Sequence, residues 1–268
     1  MILNPLIIIP SQLNEKDGPN NGKPLRQLRD VNGASMVVQS YRRVKESQIG
    51  SVIVDCLGDE IAEELGREGA YTVRTDPEEL LKNHNYRTES GAERLAATVN
   101  RFDRFYTHDI VINVHEDMPA LEPKYIRALM YALASDDVGI ATMVCPLTNK
   151  DLDDRSIVKT RVSWNEQRRV YVLKGSKVGT VDDFSREPDR LGAGPHYRHI
   201  PIYAYRRAQL DRFVDSPPSE RELEENIEAL RALEKGFRID VCLVDAAPFK
   251  VTRDQDLETA RELLDTGL

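Results

Sequence analysis

The stretch Val111-Ile112-Asn113-Val114-His115-Glu116-Asp117-Met118-Pro119 carries the most chemically suggestive spacing in the chain. An apolar run, Ile110 to Val114, leads straight into an acidic turn that a proline closes. In open α/β sheets, ligands bind beyond the carboxyl ends of the strands. A carboxylate just past a strand end, such as Asp117, is placed to hold a divalent cation against phosphate oxygens, because hard cations take oxygen ligands. The alternative is that Glu116 and Asp117 are solvated turn residues, and the stretch alone favours that alternative.

The surrounding elements would have to position this turn. Leu6 to Ile9 is a continuous apolar run, as expected of a central parallel strand covered on both faces. A polar connection, Ser11 to Asn21, leads to Gly22-Lys23-Pro24-Leu25. Met36 to Val44 has helical spacing, Val52 to Cys56 reads as a strand, and Ile61, Ala62 and Leu65 mark a helix that Gly69 stops. Tyr71 to Val73 is a short strand, 75–89 a polar excursion, and a helix covers 94–105 after Gly91. Beyond the acidic turn, Pro123 to Leu133 is helical and Val138 to Val144 is a strand. This alternation predicts βαβ units and a mainly parallel open sheet.

After Pro146 the pattern changes. Ser156 to Trp164 and Arg169 to Leu173 are β-rich, separated by Asn165-Glu166-Gln167-Arg168, which predicts an antiparallel hairpin. Gly175 to Pro195 is charged and rich in Gly and Pro and reads as a mobile loop. His199 to Tyr205 alternates as a strand, and Ala208 to Val214 reads as a short helix. Glu222 to Lys235 reads as one amphipathic helix with Leu223, Ile227, Leu230 and Leu233 on its apolar face. Ile239 to Val244 and Asp254 to Leu264 read as a last strand and a closing helix. The expected architecture is a single α/β domain over 1–268 with a smaller mixed α+β lobe around 147–206.

Composition narrows the function classes. With 268 residues and 40% hydrophobic content the chain can bury a substantial core. A net charge of -8 argues against nucleic acid as the main partner, but a single nucleotide needs only a few local donors. Cys56, Cys145 and Cys242 lie in apolar stretches without metal-ligand spacing and read as reduced core residues of a cytoplasmic protein. Pro5 and Pro10 interrupt the apolar N-terminus, which lacks a basic n-region and reads as a first strand, not a signal peptide. No apolar run approaches the roughly 18 residues of a membrane span.

Taken in order, further motifs accompany the acidic turn. They are the strand ending in Pro10, Gly22-Lys23-Pro24-Leu25, Ser90-Gly91-Ala92-Glu93-Arg94-Leu95-Ala96, His199-Ile200-Pro201-Ile202-Tyr203-Ala204-Tyr205-Arg206, Pro217-Pro218-Ser219-Glu220, and Glu228-Ala229-Leu230-Arg231-Ala232-Leu233. Together they resemble the 3-deoxy-manno-octulosonate cytidylyltransferases (CMP-Kdo synthetases), collinearly over nearly the whole chain. The resemblance implies a nucleotide-diphospho-sugar transferase-like, Rossmann-like fold, a cytoplasmic homodimer, and formation of CMP-Kdo for lipopolysaccharide from CTP and the sugar acid Kdo, with pyrophosphate released. The exposed β-rich segment Ser156 to Leu173 would suit the dimer contact. The resemblance also implies site roles. Lys23 would contact the triphosphate; Pro10, Ser11 and Gln12 belong to the same nucleotide loop. Ser90 and Gly91 would approach cytosine and ribose, and His115 could read a cytosine edge. Arg94 would either contact ligand or pair with a neighbouring carboxylate. Asp117 would ligate Mg2+, and His199, Tyr203 and Glu228 would line the sugar pocket.

Departures fall within the same motifs. The loop Pro10 to Lys23 is two residues longer than the family's and lacks its two arginines. Glu116 replaces a glycine, and Thr252 stands where the second metal-binding aspartate is expected, with Asp254 two residues on. Val172 to Gly175 stands at the family's Tyr-Phe-Ser-Arg. The alternatives these departures raise are a homologue that binds nucleotide or sugar without turnover, and a transferase of the same fold using another nucleotide or acid.

Overall fold

The computed structural model describes residues 3–11, 25–56, 58–74 and 91–266. Along them run β1 (Pro5–Ser11), β2 (Asp30–Val31), β3 (Ala34–Ser35), α1 (Met36–Lys45), β4 (Ser51–Cys56), α2 (Asp59–Arg67), β5 (Tyr71–Val73), α3 (Gly91–Phe102) and β6 (Ile110–Asn113). There follow α4 (Pro123–Ala132), β7 (Ile140–Pro146), α5 (Asn149–Asp153), β8 (Lys159–Arg169), β9 (Lys177–Ser185), β10 (His196–Arg206) and α6 (Arg207–Val214). The last elements are α7 (Glu220–Glu225), α8 (Glu228–Glu234), β11 (Ile239–Leu243) and α9 (Asp256–Asp265). Contacts divide the chain into one unit of 1–85, 93–123 and 248–268, and another of 86–92 and 124–247.

In the first unit the main sheet runs β5-β4-β1-β6 with every pairing in it parallel, and the short β2–β3 ladder is antiparallel. Leu6 to Ile9 are wholly buried, which is why β1 is an unbroken apolar run and not an alternating one. The C-terminal segment returns to this unit: Val251, Leu257 and Ala260 form a buried cluster with Val31 and Met36.

In the second unit the strands run β10-β7-β11-β9-β8, with β8 also pairing to β10 over Lys159 to Arg161. The β11–β7 pairing is parallel, and the β10–β7, β11–β9 and β8–β9 pairings are antiparallel. The ladder therefore closes on itself, and the open edge expected of β8 is covered over its first three residues.

Three expectations in this unit are corrected. The hairpin partner of β8 is 177–185, not 169–173. Asn165 to Arg168 is an irregular stretch of the strand, held because Arg168 reaches the wholly buried Asp240 and the carbonyls of Tyr131 and Ala132. The turn lies at 170–176, where Gly175 adopts φ +76° and Val170 N–H donates to the Ser176 carbonyl. The expected loop 175–195 contains β9, with Val178, Val181 and Phe184 buried. Its charges mislead because Asp182 pairs with Arg161 and Asp183 with Arg221. Gly179 is required in it, since a Cβ there would lie 2.5 Å from Val162. Finally, the single helix 222–235 is two. Asn226 takes a left-handed φ of 52° between α7 and α8, and Ser219 and Glu222 form a capping box at the start of α7. Leu223 is exposed, while Glu222 is buried against Arg231, with 3.1 Å between Oε2 and Nε.

The three cysteines are free and buried, as expected. Burial pushes the thiols of Cys56 and Cys242 up to about 12 and that of Cys145 to about 11. Because the thiolate is the reacting species, none should react with a disulfide reagent at pH 8 until the chain is unfolded. Colour release that requires urea is the expected result; a fast native phase would contradict the burial.

Candidate active site

The first unit brings its chemistry to the carboxyl ends of β1, β4 and β6. Asp55, near the end of β4, is wholly buried and receives Arg94 Nε at 2.7 Å and the Thr98 hydroxyl at 3.0 Å, both from α3. The same guanidinium donates to the Ser11 and Asp55 carbonyls at 3.1 Å each. A buried carboxylate is tolerable only when paired and hydrogen-bonded, and this one is. Of the two roles open to Arg94, the geometry is that of a carboxylate partner which also holds the end of β1.

Beyond β6, the Ser40 hydroxyl donates to the Glu116 carbonyl at 2.6 Å, and Val251 N–H donates to the Asp117 carbonyl at 2.8 Å. These bonds fix the acidic turn from both sides. Asp117 Oδ2 lies 3.1 Å from Lys250 Nζ, while Oδ1 is buried and accepts no hydrogen bond from the described residues. Ser11 Oγ and Asn113 Oδ1 are likewise buried without a partner among the described residues. Leaving such atoms unpaired costs free energy. Asn113 closes β6 and Asp117 follows in the turn, whereas the pairing of Ile8 with Asn113 puts Ser11 on the opposite face of the sheet, so the unpaired acceptor of the acidic turn itself is Asp117 Oδ1. A magnesium ion suits a single carboxylate oxygen such as Asp117 Oδ1, because Mg2+ keeps several waters and is commonly held by one or two carboxylates plus substrate phosphates.

The other predicted residues of this unit are placed differently. Pro10 lies in β1, paired in register with Asp55, and His115 is half-buried in the turn after β6. Thr252 gives its hydroxyl to Asp256 at 2.7 Å, and Asp254 is ion-paired with Arg29. A shift that freed Asp254 for a metal would have to break that pair. The side chain this segment sets on Asp117 is Lys250, which sequence reasoning missed. Gln12, Lys23 and Ser90 lie outside the described residues.

In the second unit, His199, Tyr203 and Glu228 come from β10 and the start of α8. The His199 ring stands 5.3 Å from Tyr203, and Tyr203 stacks on Tyr205 at 5.8 Å. The Thr142 hydroxyl lies 2.9 Å from the Ile200 and Ile202 carbonyls and 3.1 Å from His199 Nε2, which ties the imidazole to β7. Burial lowers the imidazole to about 3, so it is neutral at physiological pH. Burial, helped by the Glu228 charge, raises the Tyr203 phenol well above its ordinary value and keeps it a donor. Gly91 is exposed at the start of α3, and Ala92 N–H beside it donates to Glu228 Oε2 at 3.3 Å. An uncharged imidazole, a phenol and a carboxylate together suit a ligand rich in hydroxyls.

Phe184-Ser185-Arg186 was also missed, although the tripeptide is plain in the sequence. Phe184 meets the His199 ring edge-on at 5.0 Å, and Ser185 donates to Glu225 at 2.7 Å. Arg186 clamps the carbonyls of Arg155, Ser156, Glu225 and Asn226. Val172 to Gly175, matched to this motif from sequence, lies instead in the β8–β9 turn and lines a cleft of about 340 Å³ with Leu243, Val244 and Asp245.

Comparison with known proteins adds a consistent picture. A family model described as "Cytidylyltransferase" matches residues 21–239. The chain is 38% identical over 263 residues to the 3-deoxy-manno-octulosonate cytidylyltransferase of Paramagnetospirillum magneticum, covering 98% of both chains. It is 38% identical over 262 residues to the protein of that name from Rhodospirillum rubrum, covering 97% of this chain and 95% of the relative. A solved structure of CMP:2-keto-3-deoxy-manno-octonic acid synthetase complexed with CTP superposes with a TM-score of 0.78 at 24% identity, covering 99% of this chain and 100% of that one, and shares the fold.

Two outcomes test this geometry. Arg94→Met leaves Asp55 charged and buried without its partner and should lower stability by about 3–5 kcal/mol in urea unfolding; a loss below about 1 kcal/mol would mean the pair is not what holds α3 to the strands. His199, neutral when folded, is protonated below its ordinary value of 6.5 when unfolded, so its contribution is full above that pH and is lost as pH falls toward about 3. The melting temperature of His199→Phe should therefore fall less steeply than that of the unaltered chain between pH 6.5 and 4. Parallel curves would mean the ring titrates normally.

Proposed function

The chain belongs to the cytidylyltransferase family, and on that premise we propose that it transfers CMP from CTP to 3-deoxy-manno-octulosonate, releasing pyrophosphate. The observation that carries the reading is Asp117 in the turn just past the parallel strand β6, with its Oδ1 buried and accepting no hydrogen bond from the described residues. The relatives of known name at 38% identity supply the chemistry this site would serve.

In that reaction the anomeric hydroxyl of the sugar acid attacks the α-phosphorus of CTP. The new P–O bond forms as the bond to the β-phosphate oxygen breaks; pyrophosphate takes the electron pair and the hydroxyl proton goes to solvent. Phosphoryl transfer asks mainly for positioning and charge stabilisation. Arg94 does the first by pinning the end of β1 and Asp55 in one arrangement. Asp117 would hold Mg2+ through Oδ1, and the bound ion would offset charge developing on the phosphate oxygens. Lys23 would meet the triphosphate, Gly91 with its neighbour Ser90 the nucleoside, and His115 the base. The His199 imidazole, the Tyr203 phenol and Glu228 would orient the sugar hydroxyls. The same reading includes a cytoplasmic homodimer serving lipopolysaccharide synthesis, with Val162 to Arg169, whose second edge pairs with no described strand, as the contact. Among the described residues no helix is long and apolar enough to cross a membrane.

The deciding experiment is pyrophosphate release from CTP with the sugar acid and Mg2+. Asp117→Asn should lower kcat about a hundredfold or more and abolish the metal-dependent part of the CTP-induced shift in melting temperature. CTP binding without release in the unaltered chain would favour a non-catalytic binding role, and an unchanged Asp117→Asn would remove that carboxylate from the site.

A further inference from the structure

Lys250 is the feature that neither the sequence motifs nor the proposed reaction absorbs. Its ammonium lies 3.1 Å from Asp117 Oδ2, on the carboxylate whose other oxygen has no partner among the described residues. The placement is not a chance surface approach. The next residue, Val251, is wholly buried and donates its N–H to the Asp117 carbonyl at 2.8 Å, so the backbone sets the register that brings the lysine there. Arg26 then binds the Thr252 carbonyl at 2.6 Å, and Asp256 receives the Thr252 hydroxyl and the Thr252 and Arg253 N–H groups. The segment is thus anchored at each of the three residues that follow Lys250. Asp117 retains 19% of its side-chain exposure and Lys250 35%, which leaves the lysine stem room to turn toward an incoming ligand.

We propose that Lys250 is a resident cation of the triphosphate site, neutralising Asp117 before substrate arrives and binding a phosphate oxygen of the nucleotide afterwards. The proposal rests on the reading of Asp117 as the metal-holding carboxylate. Its physical basis is that a lysine ammonium is a compact point charge with three donors on a flexible stem, suited both to a carboxylate and to phosphate. A carboxylate already paired at Oδ2 offers a divalent ion one oxygen beside a positive charge, so it holds metal weakly alone. The triphosphate changes both terms by drawing the ammonium to itself and adding oxygens to the metal. Metal and nucleotide therefore enter together, and Lys250 couples their binding.

The test uses the full chain, with Mn2+ as the metal and CTP as the nucleotide. Lys250→Met should tighten Mn2+ binding to the nucleotide-free protein, read by electron paramagnetic resonance titration, about fivefold or more. It should weaken metal-free CTP binding, read calorimetrically, about tenfold or more. Lys250→Arg should restore CTP binding, which a merely structural contribution would not predict. The variant should fold normally, since a partly exposed ion pair contributes little to stability. If Lys250→Met leaves both affinities unchanged, or changes only its melting temperature, the assignment is overturned. If the unaltered chain binds no CTP, the cytidylyltransferase reading fails, and the Mn2+ titration still decides whether Lys250 screens Asp117.

Discussion

A carboxylate with no access to water constrains the first unit more than any other group. Asp55 sits at the end of a central parallel strand, where a charge is stable only if its partners are supplied in full. Arg94 and Thr98 come from one face of α3, four residues apart, and Arg94 reaches past Asp55 to the carbonyl of Ser11. One ion pair therefore fixes the angle of α3, the end of β4 and the exit of β1 together. Ser11 is the last residue of β1, so the same guanidinium sets where the chain leaves the sheet.

Arginine recurs in this structural role. In the second unit Arg168 holds the Tyr131 and Ala132 carbonyls, Arg186 gathers four carbonyls, and Arg206 binds those of Leu133, Ser135 and Val138. A planar fork with five donors can satisfy several loop carbonyls at once without adding regular structure. An acidic chain thus directs much of its positive charge inward, to its own backbone.

The parallel strands were legible because burial on both faces writes them as plain apolar runs, as at Leu6 to Ile9 and Ile110 to Val114. Asp117 was legible as a residue, since an acid just past a strand end is a pattern with a mechanism. What stayed hidden was set by tertiary register. β9 was concealed by Asp182 and Asp183, whose partners Arg161 and Arg221 are remote in sequence. The break at Asn226 was concealed because apolar spacing continues across a residue that leaves the helix. Arg94 showed two roles in the sequence and one in the geometry. Lys250 showed none until the Val251 hydrogen bond placed it.

That last contact also carries a consequence in time. The acidic turn and the C-terminal segment that closes on it are separated by more than a hundred residues. At a synthesis rate of about 5–20 residues per second, Asp117 leaves the ribosome roughly ten seconds before Lys250 has been made. Val31 and Met36 wait longer still for Val251, Leu257 and Ala260 to cover them. The nascent chain can form the central strands early, but it holds an unscreened carboxylate and an open apolar seam until the segment 250–260 has been made. For this fold, the period of greatest exposure to chaperones and proteases is set by the distance along the chain between a turn and its late-arriving lysine.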